Sequence, residues 1–322
     1  MNQETLIDIQ NLQVYFPIRS GLFQRQTGVV KAVDDVSLTI HKGETVGLVG
    51  ESGCGKTTIG RAIVRLNQPN GGKIMYQGQD LLAAKGNELR NLRKDIQIVF
   101  QDPYSSLNPR KTIRHLISEV LTVQKGCTPR EAGEQVEDLM VQVGLNPVYA
   151  DRYPHEFSGG QRQRVAIAKA LALQPKFIVC DEAVSALDVS IQSQIINLLL
   201  DLKEKYGITY LFISHAMNVV EHLSDRVAVM YLGKLMEYAP AEELFSSPAH
   251  PYTKALLSAV PLLSGQETRK RIVLEGDVPS ASHVPSGCRF HTRCYMADER
   301  CRTEEPCMRE ICPGHFACCH KV

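Results

Sequence analysis

Residues 50–58, Gly50-Glu51-Ser52-Gly53-Cys54-Gly55-Lys56-Thr57-Thr58, constrain this chain more than any other stretch. A glycine, four spacers and then Gly55-Lys56-Thr57 follow the short apolar run VGLVG and open the helical pattern TTIGRAIVRL. That context, buried strand then tight turn then helix, is what the P-loop pattern requires. Glycines let backbone N–H groups turn inward around a β-phosphate, and the helix N-terminus adds positive potential. Lys56 places a charge between β- and γ-phosphates, and Thr57 offers a hydroxyl to Mg2+.

Around this loop, up to about residue 260, strand-like and helix-like segments alternate, which predicts an α/β domain with a largely parallel sheet. Residues 5–16 and 29–40 alternate apolar and polar and read as strands, with a loop or hairpin extension between them. IQIVF (96–100), FIVCD (177–181) and TYLFIS (209–214) read as buried strands. Thr128-Pro129-Arg130-Glu131 is a capping box, and Val136, Leu139, Met140 and Val143 form an apolar stripe ending at Gly144. A second stripe, Ile191, Ile195, Leu198, Leu199 and Leu202, stops at Gly207, and RVAVMYLGKLMEY reads as a hairpin turning near Gly233. Beyond 260 the texture becomes polar, then rich in Pro and Ser, which reads as a linker to a Cys-rich tail.

FIVCDE (177–182) ends a buried strand on two carboxylates. Asp181 suits the hold on Mg2+, and Glu182 is placed to orient or deprotonate an attacking water. With the P-loop, this makes the chain a nucleoside triphosphatase or kinase. FSGGQ (157–161) opens a further helix, RQRVAIAKALAL, so Ser158, Gly159, Gly160 and Gln161 form a second anion-binding terminus. One nucleotide has no need of two such termini, but two chains arranged head to tail do.

Here the sequence resembles the ABC-type ATPases. FSGGQ resembles their signature motif, Gln101 in VFQDP their Q-loop glutamine, and Ser185-Ala186-Leu187-Asp188 their D-loop. His215 in LFISHAMNV resembles the switch histidine that contacts the γ-phosphate, and Gln101 is a further Mg2+ or water contact. Phe16, in preference to Tyr15, is placed for the aromatic that stacks on adenine. Phe157, Ala183 and Ala216 depart from the commoner family residues, but no group needed for chemistry is missing. The resemblance implies a mixed sheet core, an antiparallel β subdomain and an α-helical subdomain at about 104–165, all within a nucleotide-binding domain at 1–262, with a small Cys-rich extension at 263–322.

QDPYSSLNPR, HPYTKALLSAVP (250–261) and GCRFHTRC (287–294) narrow the resemblance to ATPase subunits of oligopeptide and dipeptide ABC importers, in their second, F-type form. That implies a homologous D-type ATPase partner, two membrane permeases and an external peptide-binding protein, with the chain peripheral at the cytoplasmic membrane face. Related ATPases serve nickel, glutathione or antimicrobial-peptide importers, and a soluble non-transport ABC ATPase is a remoter alternative.

Ten cysteines occur, and Cys288, Cys294, Cys301, Cys307, Cys312, Cys318 and Cys319 crowd the last 35 residues. In a reducing compartment this points to metal or redox chemistry. Four thiolates with long loop spacings suit a 4Fe–4S cluster better than zinc, whose sites favour close Cys pairs. The family pattern implies Cys288, Cys294, Cys301 and Cys319 as the four, with Cys318 the immediate rival and Cys307 and Cys312 unassigned. The 36 Lys and Arg nearly balance the 35 Asp and Glu, which argues against a chain that coats nucleic acid or an anionic membrane. No uninterrupted run of about 18 apolar residues occurs, so no membrane-spanning helix is expected.

Overall fold

The computed structural model describes residues 4–21, 25–260 and 270–322. The expected domain boundary at 262/263 lies outside the described residues. The chain divides into two compact units, residues 1–82 with 214–322, and residues 83–213.

The first unit opens with β1 (Thr5–Ser20) and β2 (Arg25–His41), a long antiparallel pair in which Ile9 faces Leu38 and Phe16 faces Val30. The strands thus run further toward 22–24 than their alternation indicates. Alternation, shifted by one residue at the irregularity between Ile9 and Leu12, puts Ile7, Ile9, Leu12 and Val14 inside, none more than 1% exposed. β3 (Thr45–Val49) leads through the P-loop into α1 (Lys56–Ile63). β4 (Gly71–Tyr76) and β5 (Gln79–Asp80) complete a four-stranded antiparallel sheet in the order β2-β1-β4-β5. Neither was legible in the sequence, since GGKIMY is too short and too mixed to show a period.

The second unit begins with α2 (Gly86–Asp95), β6 (Ile96–Val99), α3 (Pro103–Ser106) and α4 (Ile113–Val120). α5 (Pro129–Gln142) starts at the expected capping box, and its stripe of Val136, Leu139, Met140 and Val143 is buried. α6 (Gly159–Leu171), β7 (Phe177–Asp181), α7 (Val189–Tyr206) and β8 (Thr209–Ser214) follow. Strands β6, β7 and β8 lie parallel, with Val179 beside both Ile98 and Leu211. Every residue of β7 and β8 is buried, as their unbroken apolar runs require. Gly207 stops α7 in the left-handed region.

The chain then returns to the first unit through α8 (Met217–Leu223), β9 (Arg226–Tyr231) and β10 (Lys234–Pro240). β9 lies parallel to β3 and antiparallel to β10, joined by the two-residue turn Leu232-Gly233. Both turn residues have positive φ, 44° and 81°, the type I′ geometry that matches strand twist. α9 (Ala241–Ser246) and α10 (Pro251–Ser258) come next.

The tail contains α11 (Glu299–Thr303), β11 (Arg309–Cys312) and β12 (His315–Ala317). β12 pairs with β10, Tyr238 beside Phe316, so the tail extends the β3-β9-β10 sheet rather than hanging from it. Phe290 is fully buried against Tyr231, Tyr252 and His250. Arg289, also buried, donates to the Leu232 carbonyl and ion-pairs with Asp34. Glu237 has no exposed surface, yet its carboxylate accepts from Ala249 N (2.7 Å), His250 N (2.9 Å) and His315 Nε2 (2.7 Å). Burial works to raise Glu237, but these donors overturn it and hold the carboxyl below its ordinary value.

His250 caps α10, its Nδ1 accepting from Tyr252 N at 3.0 Å. Desolvation lowers this imidazole from 6.5 to about 4, with Glu237 pulling up and Lys254 pushing down. The unfolded chain protonates near 6.5 and the folded chain only near 4, so stability falls as pH drops through that window, by about 3 kcal/mol in all. His250→Asn keeps a capping acceptor without the titration. Urea melts of this variant at pH 6.5 and 4.5 should lack a large part of the wild-type difference; an unchanged difference places the titration elsewhere.

Candidate functional site

The P-loop turns between β3 and α1 with Gly55 at φ 107°. A Cβ there would lie 2.1 Å from the Ala32 carbonyl oxygen, so only glycine fits. Lys56 is 4% exposed, and its ammonium donates to the Gly50 carbonyl (2.8 Å) and the Glu51 carbonyl (3.0 Å). The charge is thereby folded over the loop, where phosphate oxygens can replace the carbonyls. Thr57 and Thr58 follow, half-buried, in the first turn of α1, while Ser52 and Gly53 are exposed. Burial pushes the Cys54 thiol up, although Lys56 pulls it down.

Two contacts on this loop were invisible in the sequence. Arg293 Nη1 meets the Glu51 carboxylate at 2.8 Å, and Glu51 N donates to the Tyr252 hydroxyl at 3.0 Å. Both partners come from segments C-terminal to β10, so the HPYTKALL and GCRFHTRC motifs reach the phosphate loop directly. No local pattern announces such pairs, which lie 242 and 201 residues apart.

Of the two candidate aromatics, Tyr15 is committed to structure. Its hydroxyl donates to Asp34, and burial together with that carboxylate lifts it to about 12. Burial would raise Asp34, but the Tyr15 bond and the Arg289 guanidinium bring it below its ordinary value. Phe16 is exposed on β1.

In the second unit, β7 carries Asp181 to its C-terminal end, where the carboxylate is 3% exposed. Glu182 follows in the left-handed region at φ 50°, uncommon for a residue with a Cβ and characteristic of functional turns. Its backbone N–H is held by the Ile213 carbonyl at 3.0 Å. Ser185 Oγ donates to the Glu182 carbonyl (2.9 Å) and accepts from Gln101 Nε2 (3.3 Å). Gln101, Glu182 and the 185–188 turn, read separately along the chain, are therefore one hydrogen-bonded group. Asp188 is the N-cap position of α7. Ser158 caps α6 through a capping box with Gln161, Ser158 N donating to Gln161 Oε1 at 3.0 Å, with Gly159 and Gly160 as the first helical residues. In the first unit, His215 sits exposed immediately after β8.

The tail thiols Cys288, Cys294, Cys301 and Cys319 lie close enough for the charge of each to act on others of the set. Burial pushes Cys288 up to about 11 and raises Cys294 and Cys301 as well. Cys318 instead donates its thiol to the Pro306 carbonyl at 3.0 Å. Cys307 is exposed, and Cys312 is half-buried at the end of β11.

Residues 33–185 match the family described as ABC transporter, and residues 236–301 match the one described as oligopeptide/dipeptide transporter, C-terminal region. The chain is 55% identical to the oligopeptide transport ATP-binding protein AppF of Bacillus subtilis, over 99% of this chain and 98% of that one. It is 46% identical to the dipeptide transport ATP-binding protein DppF of Haemophilus influenzae, over 98% and 97%. Among solved structures, a dimeric ATP-binding cassette in a post-hydrolysis state with ADP and phosphate superposes with a TM-score of 0.64 at 27% identity, covering 73% of this chain and 99% of that one. CbiO1 from Clostridium perfringens, part of an ABC transporter complex, gives 0.65 at 25% identity, covering 76% and 92%.

Arg293 neutralises a carboxylate on the loop expected to receive the nucleotide phosphates. Arg293→Gln should weaken ATP binding by about three- to tenfold, roughly 1 kcal/mol, with the fold intact. Titration with a fluorescent ATP analogue measures it, and unchanged affinity removes Arg293 from the nucleotide site.

Proposed function

The chain belongs to the ABC transporter family, among the ATP-binding proteins of oligopeptide and dipeptide transport, and from that premise we propose that it powers uptake of di- or oligopeptides. It binds ATP with Mg2+ and hydrolyses it, working as a dimerising subunit with membrane permeases. The carrying observation is that an ATPase cassette and a C-terminal region of peptide transporters occur in one chain that matches peptide-transport ATPases over nearly its whole length.

In this reading Lys56 leaves the loop carbonyls for the β- and γ-phosphates. Thr57, Asp181 and Gln101 would hold Mg2+, a hard cation that takes oxygen ligands, and the ion would offset phosphate charge when bound. Glu182 orients and deprotonates the attacking water, held at its angle by the strained backbone and the Ser185–Gln101 link. His215 senses the γ-phosphate, and Phe16 stacks on adenine. Ser158, Gly159, Gly160, Gln161 and Asp188 serve the nucleotide of a partner ATPase, of D-type, arranged head to tail. The helical stretch at about 104–165 passes closure to two permeases. It exposes Tyr104, Val148 and Tyr153, at 49%, 80% and 41%, which fits a protein-docking face. No helix among the described residues is long and apolar enough to cross a membrane. Attachment at the cytoplasmic face then comes through the permeases, with an external binding protein delivering cargo.

The tail fits a 4Fe–4S cluster on Cys288, Cys294, Cys301 and Cys319. A zinc ion bonded to sulfur at about 2.3 Å needs its thiolates only about 4 Å apart. These four thiols act electrostatically on one another, which supports a shared site, and their long spacings along the chain favour a cluster over zinc. Such a cluster would supply structure or sensing, while the ATPase chemistry proceeds on the residues above.

Glu182→Gln should cut hydrolysis by about 10²–10⁴-fold while ATP stays bound in a closed dimer. Phosphate release from the assembled transporter measures this, and a wild-type rate means that Glu182 is not the base. Anaerobically purified protein should be brown, with iron that Cys301→Ala removes. A colourless, iron-free wild type would falsify the cluster.

A further inference from the structure

We propose that Glu243, Cys312 and His315 bind a single zinc ion, separate from the four-cysteine set and independent of it. Among the described residues these three form the one group of metal-ligating side chains whose donor atoms all lie within 4.8 Å of one another. The sequence left Cys312 without a role and did not single out Glu243.

His315 carries the argument. It is 1% exposed, and its Nε2 is 2.7 Å from the Glu237 carboxylate. Glu237 has no donor of its own and already accepts from Ala249 N and His250 N. In the neutral ring the proton between them therefore sits on Nε2, which leaves Nδ1 as a lone pair. That Nδ1 is buried and has no hydrogen-bond partner. A buried polar atom left so costs about 1–3 kcal/mol, which a fold does not leave uncompensated without a reason. Its nearest carboxylate, Glu243, stands 3.9 Å away, too far for a hydrogen bond. A carboxylate on one ring nitrogen and an open lone pair on the other is the arrangement of a metal-binding histidine, with Glu237 fixing tautomer and ring orientation.

The donor set selects the ion. One imidazole nitrogen, one thiolate and one carboxylate are borderline-soft, which suits zinc and disfavours magnesium or calcium. Zinc bonds of about 2.0–2.3 Å require the donors to draw together slightly. Glu243 and Cys312 are only half-buried and can do so. A water completes the fourth position. On binding, the Cys312 thiol gives up its proton to solvent, and the thiolate takes the metal bond.

The topology supplies a use. Cys312 ends β11 and His315 opens β12, the two flanking the turn at Pro313-Gly314, while Glu243 lies on α9 just after β10. One ion would pin the tail hairpin to a helix about seventy residues earlier in the chain, adding a link beside the strand pairing and the Glu237–His315 bond.

The test uses the full chain, stripped with chelator and titrated with Co2+ and then Zn2+, with iron measured in parallel. Co2+ should give a near-ultraviolet thiolate-to-metal band that Cys312→Ala abolishes, with one equivalent of zinc lost and iron content unchanged. Glu243→Gln should weaken zinc at least tenfold, about 1.4 kcal/mol. It leaves Cys312 in place, so a folding defect in one variant does not block the other. Cys301→Ala should lose iron yet keep the band, which separates this site from the cluster. The proposal is overturned if both variants bind as much zinc as the wild type with the same affinity, or if the stripped wild type takes no Co2+ at Cys312.

Discussion

The phosphate loop passes so close to its neighbours that no side chain fits between them, and much of the first unit is arranged around that passage. Gly55 lies against the Ala32 carbonyl of β2. The Cys54 carbonyl accepts from Gly233 N at 2.9 Å, and Gly233 O accepts from Asp34 N at 2.9 Å. The β9–β10 turn is thus a wedge between the phosphate loop and β2. A tight type I′ turn is the connection that fits there, and its Leu232 carbonyl is held by Arg289 from the tail.

This explains why a tail more than two hundred residues along the chain from the phosphate loop is packed into the fold. Arg289 satisfies Asp34, which Tyr15 also reaches, and Arg293 satisfies Glu51. A buried ion pair seldom adds much net stability, because desolvation offsets the attraction, but removing either partner strands a charge. The two pairs join segments far apart in sequence. Here they tie the segment around Cys288 and Cys294 to β2 and to the phosphate loop, and Phe290 between them supplies the apolar burial that holds the segment down. Glu237 plays the same part at the other end of the tail, joining β10, the start of α10 and β12 through donors from three segments.

Features with a local physical cause were legible in the sequence. The capping box at Thr128, the stop at Gly207, the turn at Gly233 and the buried runs of β7 and β8 all depend on residues within a few positions of one another. The motif residues were legible for the same reason, since glycines and a lysine at fixed spacing state their purpose. β4, β5 and the tail hairpin were not, because strands of two to six residues show no usable period and owe their existence to the edges they pair with. Cys312 was unreadable because Glu243 reaches it and His315 only through the pairing of β12 with β10.

The sequence by itself determined which chemistry to expect: a triphosphate-binding loop, a carboxylate proposed to act on water, a helix terminus proposed for a second nucleotide, and a thiol-rich end. Those depend on residue type and short spacing. Only the tertiary structure decided which groups act together. It joined Gln101 to Glu182 through Ser185, committed Tyr15 to Asp34 and left Phe16 exposed, and set Arg293 on the phosphate loop. It also left one ring nitrogen of His315 buried and unpartnered beside a thiol. Partners tens to hundreds of residues apart are chosen by burial and by the need to satisfy every buried polar group, and neither is written in any local stretch of chain.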